Sequence, residues 1–538
     1  MAIRISNLRL DIEEPEAALP DRLAHVLGLS PRDFGSWRIL RKSLDARVKD
    51  RFRFVYSAEV RVPQEETEVV RHALRRGAGD LLIECREEPP FHLPPAGSQP
   101  LNHPPVVIGS GPAGLVAGYF LAQAGYRPIV LERGPAVRDR IRDVKRFDAG
   151  GDFDLESNYL FGEGGAGAFS DGKLTCRGSG PEVRRVLELF AECKGKPSIL
   201  YDYRPHLGSN RLPAVVKAIR QRIESFGGEV RFRCKAEDID LGPEGIRGLA
   251  TSSGYLPTEL VILGTGHSAR DTMEMLVRRG ISVEQKPFQM GVRIEQPQEA
   301  VNRVKYGPSP LEQRLGAADY NLVAHGKNDL FTFCMCAGGH VIPSVSEEGY
   351  FCTNGMSLSD RASPFANSGL VVTIPLDQFP GTDPLAGVRL QAQFEKRAYE
   401  LSRQEYRCPI QGAQDFLAKK QTTSLPPSSY PRGLVLADLT ELMPPIVQSA
   451  LRHGLPILDR KWHGRFLKDA TLVAPETRGS SPIRIPRHPE LRETPGVRGL
   501  YPIGEGAGYA GGIVSAAVDG LKTAMAIVAA YAPLEKRY

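Results

Sequence analysis

The sequence predicts an α/β protein of several domains, and three observations carry that expectation. A short apolar strand at 105–109 runs into a glycine-rich turn and a helix. A second glycine cluster lies far downstream, at 504–512. Before either, a proline-rich stretch closes off a segment whose elements read βαββαβ.

The bulk numbers agree. At 538 residues the chain is too long for one core, and 41% hydrophobic with 25% charged residues is a globular composition. A net charge of +6 is a mild bias that suits anionic ligands without calling for nucleic acid. The first residues carry Arg4, Arg9, Asp11, Glu13 and Glu14, and no signal-type apolar run follows them. Nowhere do about 18 uncharged apolar residues run together, so no membrane span is expected. Eight scattered cysteines suit a reducing, cytoplasmic setting better than a disulfide framework.

Taken in order, residues 3–10, 36–44, 51–62 and 79–85 read as strands and 14–27 and 65–77 as helices. This is an N-terminal ferredoxin-like βαββαβ domain over 1–86. Its third strand alternates Phe52, Phe54, Tyr56, Ala58, Val60 and Val62 with mostly polar neighbours. Those aromatics either cover the domain's own helices or stack RNA bases; the glycine-aromatic signature of RNA-recognition strands is missing, which favours the first. The basic run from Arg38 to Arg53 reads as solvated surface. Residues 87–104 form a proline-rich linker.

After the linker, Gly109-Ser-Gly111-Pro112-Ala113-Gly114 follows an apolar strand and opens a helix at 112–124. Gly109 permits the tight turn, Gly111 the approach of backbone to a pyrophosphate, and Gly114 the packing of helix on strand. The helix start points amides and partial positive charge at phosphate. The next strand, 128–131, ends at Glu132, placed for ribose hydroxyls, with Arg133 beside it. Strand, turn, helix, strand and acid in that order specify a dinucleotide.

Later clusters select which one. Gly504-Glu505 ends an apolar strand, and Gly511-Gly512-Ile513 opens a helix; glutathione-reductase-like flavoproteins place such an element, with Asp for Glu, at the ribityl chain and the flavin pyrimidine edge. The loop 160–173, with Gly164, Gly165, Ala166, Ser170 and Asp171, lets backbone lie against a flat isoalloxazine. The turn Gly264-Thr265-Gly266 fits either a further FAD contact or a separate NAD site, with Glu284 as its acid; a strand returning to the FAD sheet is the favoured alternative. The domain plan is thus 105–270 for the first part of an FAD-binding Rossmann-like three-layer domain, 271–425 for an inserted α+β substrate domain, and 426–538 for the second FAD part.

With these residues in hand, the chain resembles a family of FAD-dependent dehydrogenases that join a glutathione-reductase-like FAD-binding fold to an extra N-terminal domain. The resemblance covers nearly the whole chain. It is carried by GEGGAGAFSDGKL (162–174), ILGTGHSARDT (262–272), FCMCAGGHVIP (333–343), NGMSLSDRASPFANSG (354–369), DLTELMPP (438–445), ETRGSSPIRI (476–485) and PIGEGAGYAGGI (502–513). It implies a flavin redox enzyme and supplies no substrate.

Five side chains are candidates for the chemistry. Cys334 and Cys336 form a C-x-C pair that reads as a redox-active thiol pair, as metal ligands, or as small buried strand residues; no second cysteine pair completes a metal site, so no metal is expected. Arg361 and Arg478 offer bidentate forks to an anionic substrate or serve structural ion pairs. His267 reads as a proton donor near the dinucleotide or as a helix cap. The expected function is an FAD-dependent oxidoreductase that moves a hydride or electron pair through flavin N5 to or from a small, anionic molecule, with NAD(P)H as a transient electron donor. The alternatives are a flavin monooxygenase, a reductase of unsaturated lipids or acids, and an FAD-bearing protein that binds or modifies RNA. A small-molecule substrate is expected, with neither membrane nor nucleic acid as partner.

Overall fold

The computed structural model describes residues 2–48, 51–77, 79–86, 89–176, 178–202, 204–308 and 312–534. The first two linker residues, parts of the basic run at 49–50, and the outermost residues of the first and last expected domains lie outside the described residues. The chain divides into two compact units: Met1–His92 with Lys196–Pro205, and Leu93–Gly195 with His206–Tyr538.

The first unit is an antiparallel four-stranded sheet in the order Ser36–Asp45, Arg53–Arg61, Ala2–Asp11, Leu82–Arg86. Helices Leu19–Leu27 and Glu66–Arg75 bury one face; Leu23, Leu27 and Val70 meet Ile3, Ile5, Tyr56, Ala58 and Val60 there. Tyr56 is 2% exposed within that core, so this ring packs inside its own domain. One expected boundary shifts. Residues 196–205 were assigned to the nucleotide domain but fold with this unit, because Lys42 N–H bonds the Tyr201 carbonyl at 2.7 Å and the Tyr201 hydroxyl bonds Glu16 at 2.9 Å.

The second unit holds a parallel five-stranded sheet, ordered Leu500–Pro502, Val261–Leu263, Val106–Ile108, Ile129–Leu131, Glu229–Arg231. The three central strands are short and apolar on both faces, because the helix Pro112–Gln123 covers one face and Ile239, Ile246 and Leu249 of a three-stranded antiparallel sheet, with Met273 and Leu276, cover the other. The helix Pro112–Gln123 packs on Ile513–Ala530 closely enough that a Cβ at Gly520 would meet the Ala113 carbonyl. By length and a mean hydropathy of 1.6 the helix Ile513–Ala530 passes a test for crossing a membrane. Its apolarity has a plainer cause: Val514, Ala517, Leu521, Ala524 and Ile527 are buried in this core.

Beside it stands a mainly antiparallel seven-stranded sheet. Its order is Val323–Ala324, Leu330–Cys336, Phe365–Ile374, Phe288–Pro297, Thr471–Glu476, Cys408–Gly412, Leu434–Leu436. This corrects the expected boundary at 425. Strands 434–436 and 471–476 belong to the inserted sheet, the latter wedged between Phe288–Pro297 and Cys408–Gly412, so the return to the nucleotide sheet comes only at Leu500–Pro502. The linker, too, is tied down. Gly97 N–H bonds the Val528 carbonyl at 2.8 Å and Gln99 N–H that of Ala530 at 3.2 Å.

Candidate functional site

A continuous cleft of about 320 Å³ runs along the carboxyl ends of the parallel strands to the edge of the seven-stranded sheet. Gly109, Gly111, Pro112, Ala113, Glu132 and Arg133 form its first wall. Gly165, Ala166, Ser170 and Asp171 form the second, and Gly264, Thr265 and Gly266 meet them. Gly504, Glu505, Gly511, Gly512 and Ile513 complete it. Two expected residues, Gly114 and Gly164, do not line the cleft but support it from behind. Gly109 stands at φ 98°, and a Cβ there would strike the Gly264 carbonyl, so the two turns touch. A Cβ at Gly114 would strike the Gly109 carbonyl. A Cβ at Gly111, in contrast, would meet nothing within 4 Å, which leaves the helix start open to a pyrophosphate.

The strand Val261–Leu263 pairs in parallel with Val106–Ile108, in one sheet. The turn after it therefore stands against the first nucleotide turn, where it would meet the same dinucleotide. Glu284 sits instead in a two-residue strand paired with Arg484 and does not line the cleft. The residues present thus fit one dinucleotide lying extended along the cleft.

Several acids do more structural work than the sequence indicated. Glu132 is 4% exposed and accepts from Ser110 N–H at 3.1 Å, Ser110 Oγ at 2.6 Å, Gly134 N–H at 2.9 Å and Gly162 N–H at 3.0 Å. It ties the first turn to the glycine loop, and a ribose hydroxyl would take the place of the rotatable Ser110 hydroxyl. Glu505 accepts from Ser481 N–H at 2.8 Å. Asp171, expected at phosphate or flavin edges, spends its carboxylate on Ser357 and on Arg361 Nη2 at 2.8 Å, with Lys173 at 3.8 Å. Burial works against its charge, yet Lys173, Arg361 and Ser357 hold its carboxyl below the usual range.

Both arginine expectations are corrected by the same geometry. Arg361 does not line the cleft; its Nη2 bonds Asp171 at 2.8 Å, and its buried Nε has no hydrogen-bond partner among the described residues. Arg478 lines the cleft, but its Nε and Nη2 grip Glu395 at 2.9 and 2.8 Å and its Nη1 bonds Ser346 at 2.6 Å. The first fork lies outside the cleft and the second is occupied. Arg133 is likewise held by Glu156 and, at 3.1 Å, by Asp271, while its guanidinium stacks 4.1 Å over Phe161. His267 lines the cleft with Nε2 2.9 Å from the Arg478 carbonyl, which requires that nitrogen to carry the proton. Burial lowers the imidazole's pKa, so it is neutral near pH 7 and does not present an acidic proton. Nor does it cap the following helix, Arg270–Arg278, which has no side-chain cap.

The two cysteines separate. Cys334 lines the cleft, half-buried, next to Phe333 and Asn354; Cys336 is fully buried behind it. Around them are residues that sequence reasoning did not single out. Lys173 Nζ bonds the Met335 carbonyl, and fully buried Arg293 bonds Glu476, Asn367 Oδ1 at 2.7 Å and the Cys334 carbonyl at 2.8 Å. Burial pushes the Glu476 carboxyl up to about 7 in spite of Arg293. Arg140, fully buried, donates to the carbonyls of Asn158, Gly162, Glu163 and Gly165 at 2.8–3.1 Å and so sets the shape of the glycine loop. Lys173 sits inside a quoted motif and was findable; Arg140, in a helix thick with charge, was not.

An uncharacterized protein of Clostridium beijerinckii is 39% identical over 533 residues, 98% of this chain and 99% of that one. Residues 287–479 match the family described as FAD-dependent protein, C-terminal domain-like. The chain belongs to this FAD-dependent family. Residues 107–169 match the NAD(P)-binding Rossmann-like domain, and residues 2–61 match a domain of unknown function. Among solved structures, glycine oxidase from Bacillus cereus is similar at 12% identity and a TM-score of 0.33, over 79% of this chain and 95% of that one. L-proline dehydrogenase from P. horikoshii is similar at 12% identity and a TM-score of 0.31, over 80% and 93%. The cofactor is FAD, and the chain is an FAD-dependent oxidoreductase.

Proposed function

We propose that this FAD-dependent oxidoreductase passes a hydride or an electron pair between flavin N5 and a small molecule that binds beside Phe333, Cys334 and Asn354. What carries this reading is that one cleft joins the nucleotide turns of the parallel sheet to the bulged strand of the inserted sheet. Bound FAD supplies the two-electron chemistry. The chain's own part is to hold and orient. Gly111 and Pro112 would open the amides of one helix start to the pyrophosphate, and Gly511 to Ile513 would offer another helix start to the flavin, where its partial positive charge would favour the reduced anion. Arg140 and Glu132 fix the loop that faces the ring.

Because Arg361 does not line the cleft and the fork of Arg478 is occupied, Lys173 is the cation we assign to the reaction end. NAD(P)H fits as a transient donor that reduces the flavin and leaves. A reducing cytoplasm suits the unpaired cysteines. The test is anaerobic stopped-flow reduction of purified holoprotein by NADH, NADPH and candidate substrates. Bleaching of the flavin within the turnover time supports the reading. A colourless protein that FAD cannot reconstitute defeats it, and rapid air oxidation with substrate hydroxylation would move the enzyme to the monooxygenases.

A further inference from the structure

The strand Leu330–Cys336 loses regularity where it reaches the cleft. Its pairing with Phe365–Ile374 shifts register between Phe333 and Cys336, and Cys334 stands at φ 44°. A non-glycine residue in that conformation is strained and tends to mark a functional position. In a regular strand, residues two apart stand roughly 7 Å apart on one face. Here the Cys336 thiol donates to the Cys334 carbonyl at 3.3 Å, with Cys334 on the cleft wall and Cys336 buried behind it.

Two cations, half-buried Lys173 and fully buried Arg293, converge on the pair. Lys173 Nζ is anchored on the carbonyl of the intervening Met335. Arg293 Nη2 lies 2.8 Å from the Cys334 carbonyl and 3.9 Å from Cys336 Sγ. The neighbouring Cys336, against burial and with Lys173 and Arg293, holds the Cys334 thiol down at about 5. Cys334 and burial push the Cys336 thiol up. These surroundings favour the negative charge on Cys334, which faces the cofactor cleft, over Cys336 behind it.

We propose that Cys334 and Cys336 are a redox-active dithiol that exchanges an electron pair with the bound flavin, Cys334 as the thiolate and Cys336 as the thiol that closes the disulfide. The inference rests on the flavin reading of the cleft. In the forward direction the Sγ–Sγ bond forms and the Cys336 S–H bond breaks. Two electrons and that one proton pass to oxidised FAD, which becomes the reduced anion; the reverse restores thiolate and thiol.

Holoprotein oxidised with diamide and freed of the reagent should take up about four electrons per flavin in an anaerobic dithionite titration, and Cys334→Ser or Cys336→Ser about two. A readout independent of turnover comes from alkylation followed by peptide mass spectrometry. Iodoacetamide near pH 6 should label Cys334 ahead of the other cysteines in reduced protein, and neither residue 334 nor 336 after diamide. Flavin-loaded wild type that accepts about two electrons, with both thiols still open to labelling after diamide and unfolding, overturns the thiol pair and leaves the flavin reading intact. A protein that forms the disulfide yet takes up no flavin overturns both.

Discussion

Replacing Glu395 by glutamine removes a negative charge from between two buried arginines. Glu395 is fully buried, and its carboxylate meets Arg478 at 2.8 and 2.9 Å, Arg270 at 2.9 Å and the Thr477 hydroxyl. Burial opposes the charge, but the two guanidinium groups win and hold the carboxyl at about 2, against an ordinary 4.5. At about 1.4 kcal/mol per tenfold change in proton affinity, that difference corresponds to about 3 kcal/mol. Leaving a buried cation unpaired costs a similar 3–5 kcal/mol in other proteins, or about that much. Glu347, 3.1 Å from Arg270 and 32% exposed, compensates in part. We therefore expect Glu395→Gln to lower the melting temperature of the holoprotein by about 6–12 °C, taking about 2–4 °C per kcal/mol for a domain of this size. The sign with pH follows from the lowered carboxyl. The advantage of wild type is complete above about pH 4.5 and shrinks as pH falls toward about 2, where the carboxylate protonates. Differential scanning fluorimetry across that range measures it. A shift below about 2 °C at pH 7 with normal flavin content would refute the argument, and so would a shift that persists undiminished at low pH.

Three further outcomes are expected. Asp148, whose Oδ1 has no hydrogen-bond partner, is pushed up to about 6 by burial despite the Tyr159 hydroxyl at 2.7 Å; Asp148→Asn should stabilise the protein by roughly 1–3 kcal/mol above pH 6 and by nothing near pH 4, measured by urea unfolding. Arg140→Met leaves four carbonyls without their donor, at about 1–3 kcal/mol for each that stays dry, so flavin stoichiometry should fall and limited proteolysis within 155–173 should speed up. Lys173→Met should raise the pH midpoint of Cys334 alkylation by about 1–3, while Lys173→Arg restores most of it; an unchanged midpoint in Lys173→Met would show that this cation does not act on the thiol.

What the sequence made legible was what the backbone demands locally. Gly109 turns at φ 98° and Gly114 tolerates no Cβ because of the Gly109 carbonyl five residues before it, so the turn could be placed from spacing alone; that Gly264 also crowds Gly109 could not. The same holds for the helix Ile513–Ala530, whose start is marked by Gly511-Gly512. Partners remote in the chain were not legible. Arg361 finds Asp171 190 positions away and Arg478 finds Glu395 83 positions away, and no local pattern tells a committed guanidinium from a free one. The misplaced boundary at 425 has the same origin. Thr471–Glu476 is an apolar strand either sheet would accept, and only its pairing with Phe288–Pro297 decides between them.

The charges at the reaction end also explain why a cysteine stands there. Lys173 and Arg361 share the single carboxylate of Asp171. Arg293 is paired with Glu476, but burial leaves that carboxyl at about 7, only part-ionised near neutrality. Three buried or half-buried cations thus face about one and a half carboxylate charges, and buried charge without compensation is costly. A Cys334 thiolate supplies most of the missing negative charge. Its own charge in turn helps to keep Glu476 protonated, so the two acids divide the compensation between them. Oxidising the pair to a disulfide removes the thiolate, and Glu476 then has reason to ionise beside Arg293. The carboxyl is in this way poised to release a proton when the thiol pair gives up its electrons, which couples the state of Cys334 to a buried acid that never reaches the cleft wall.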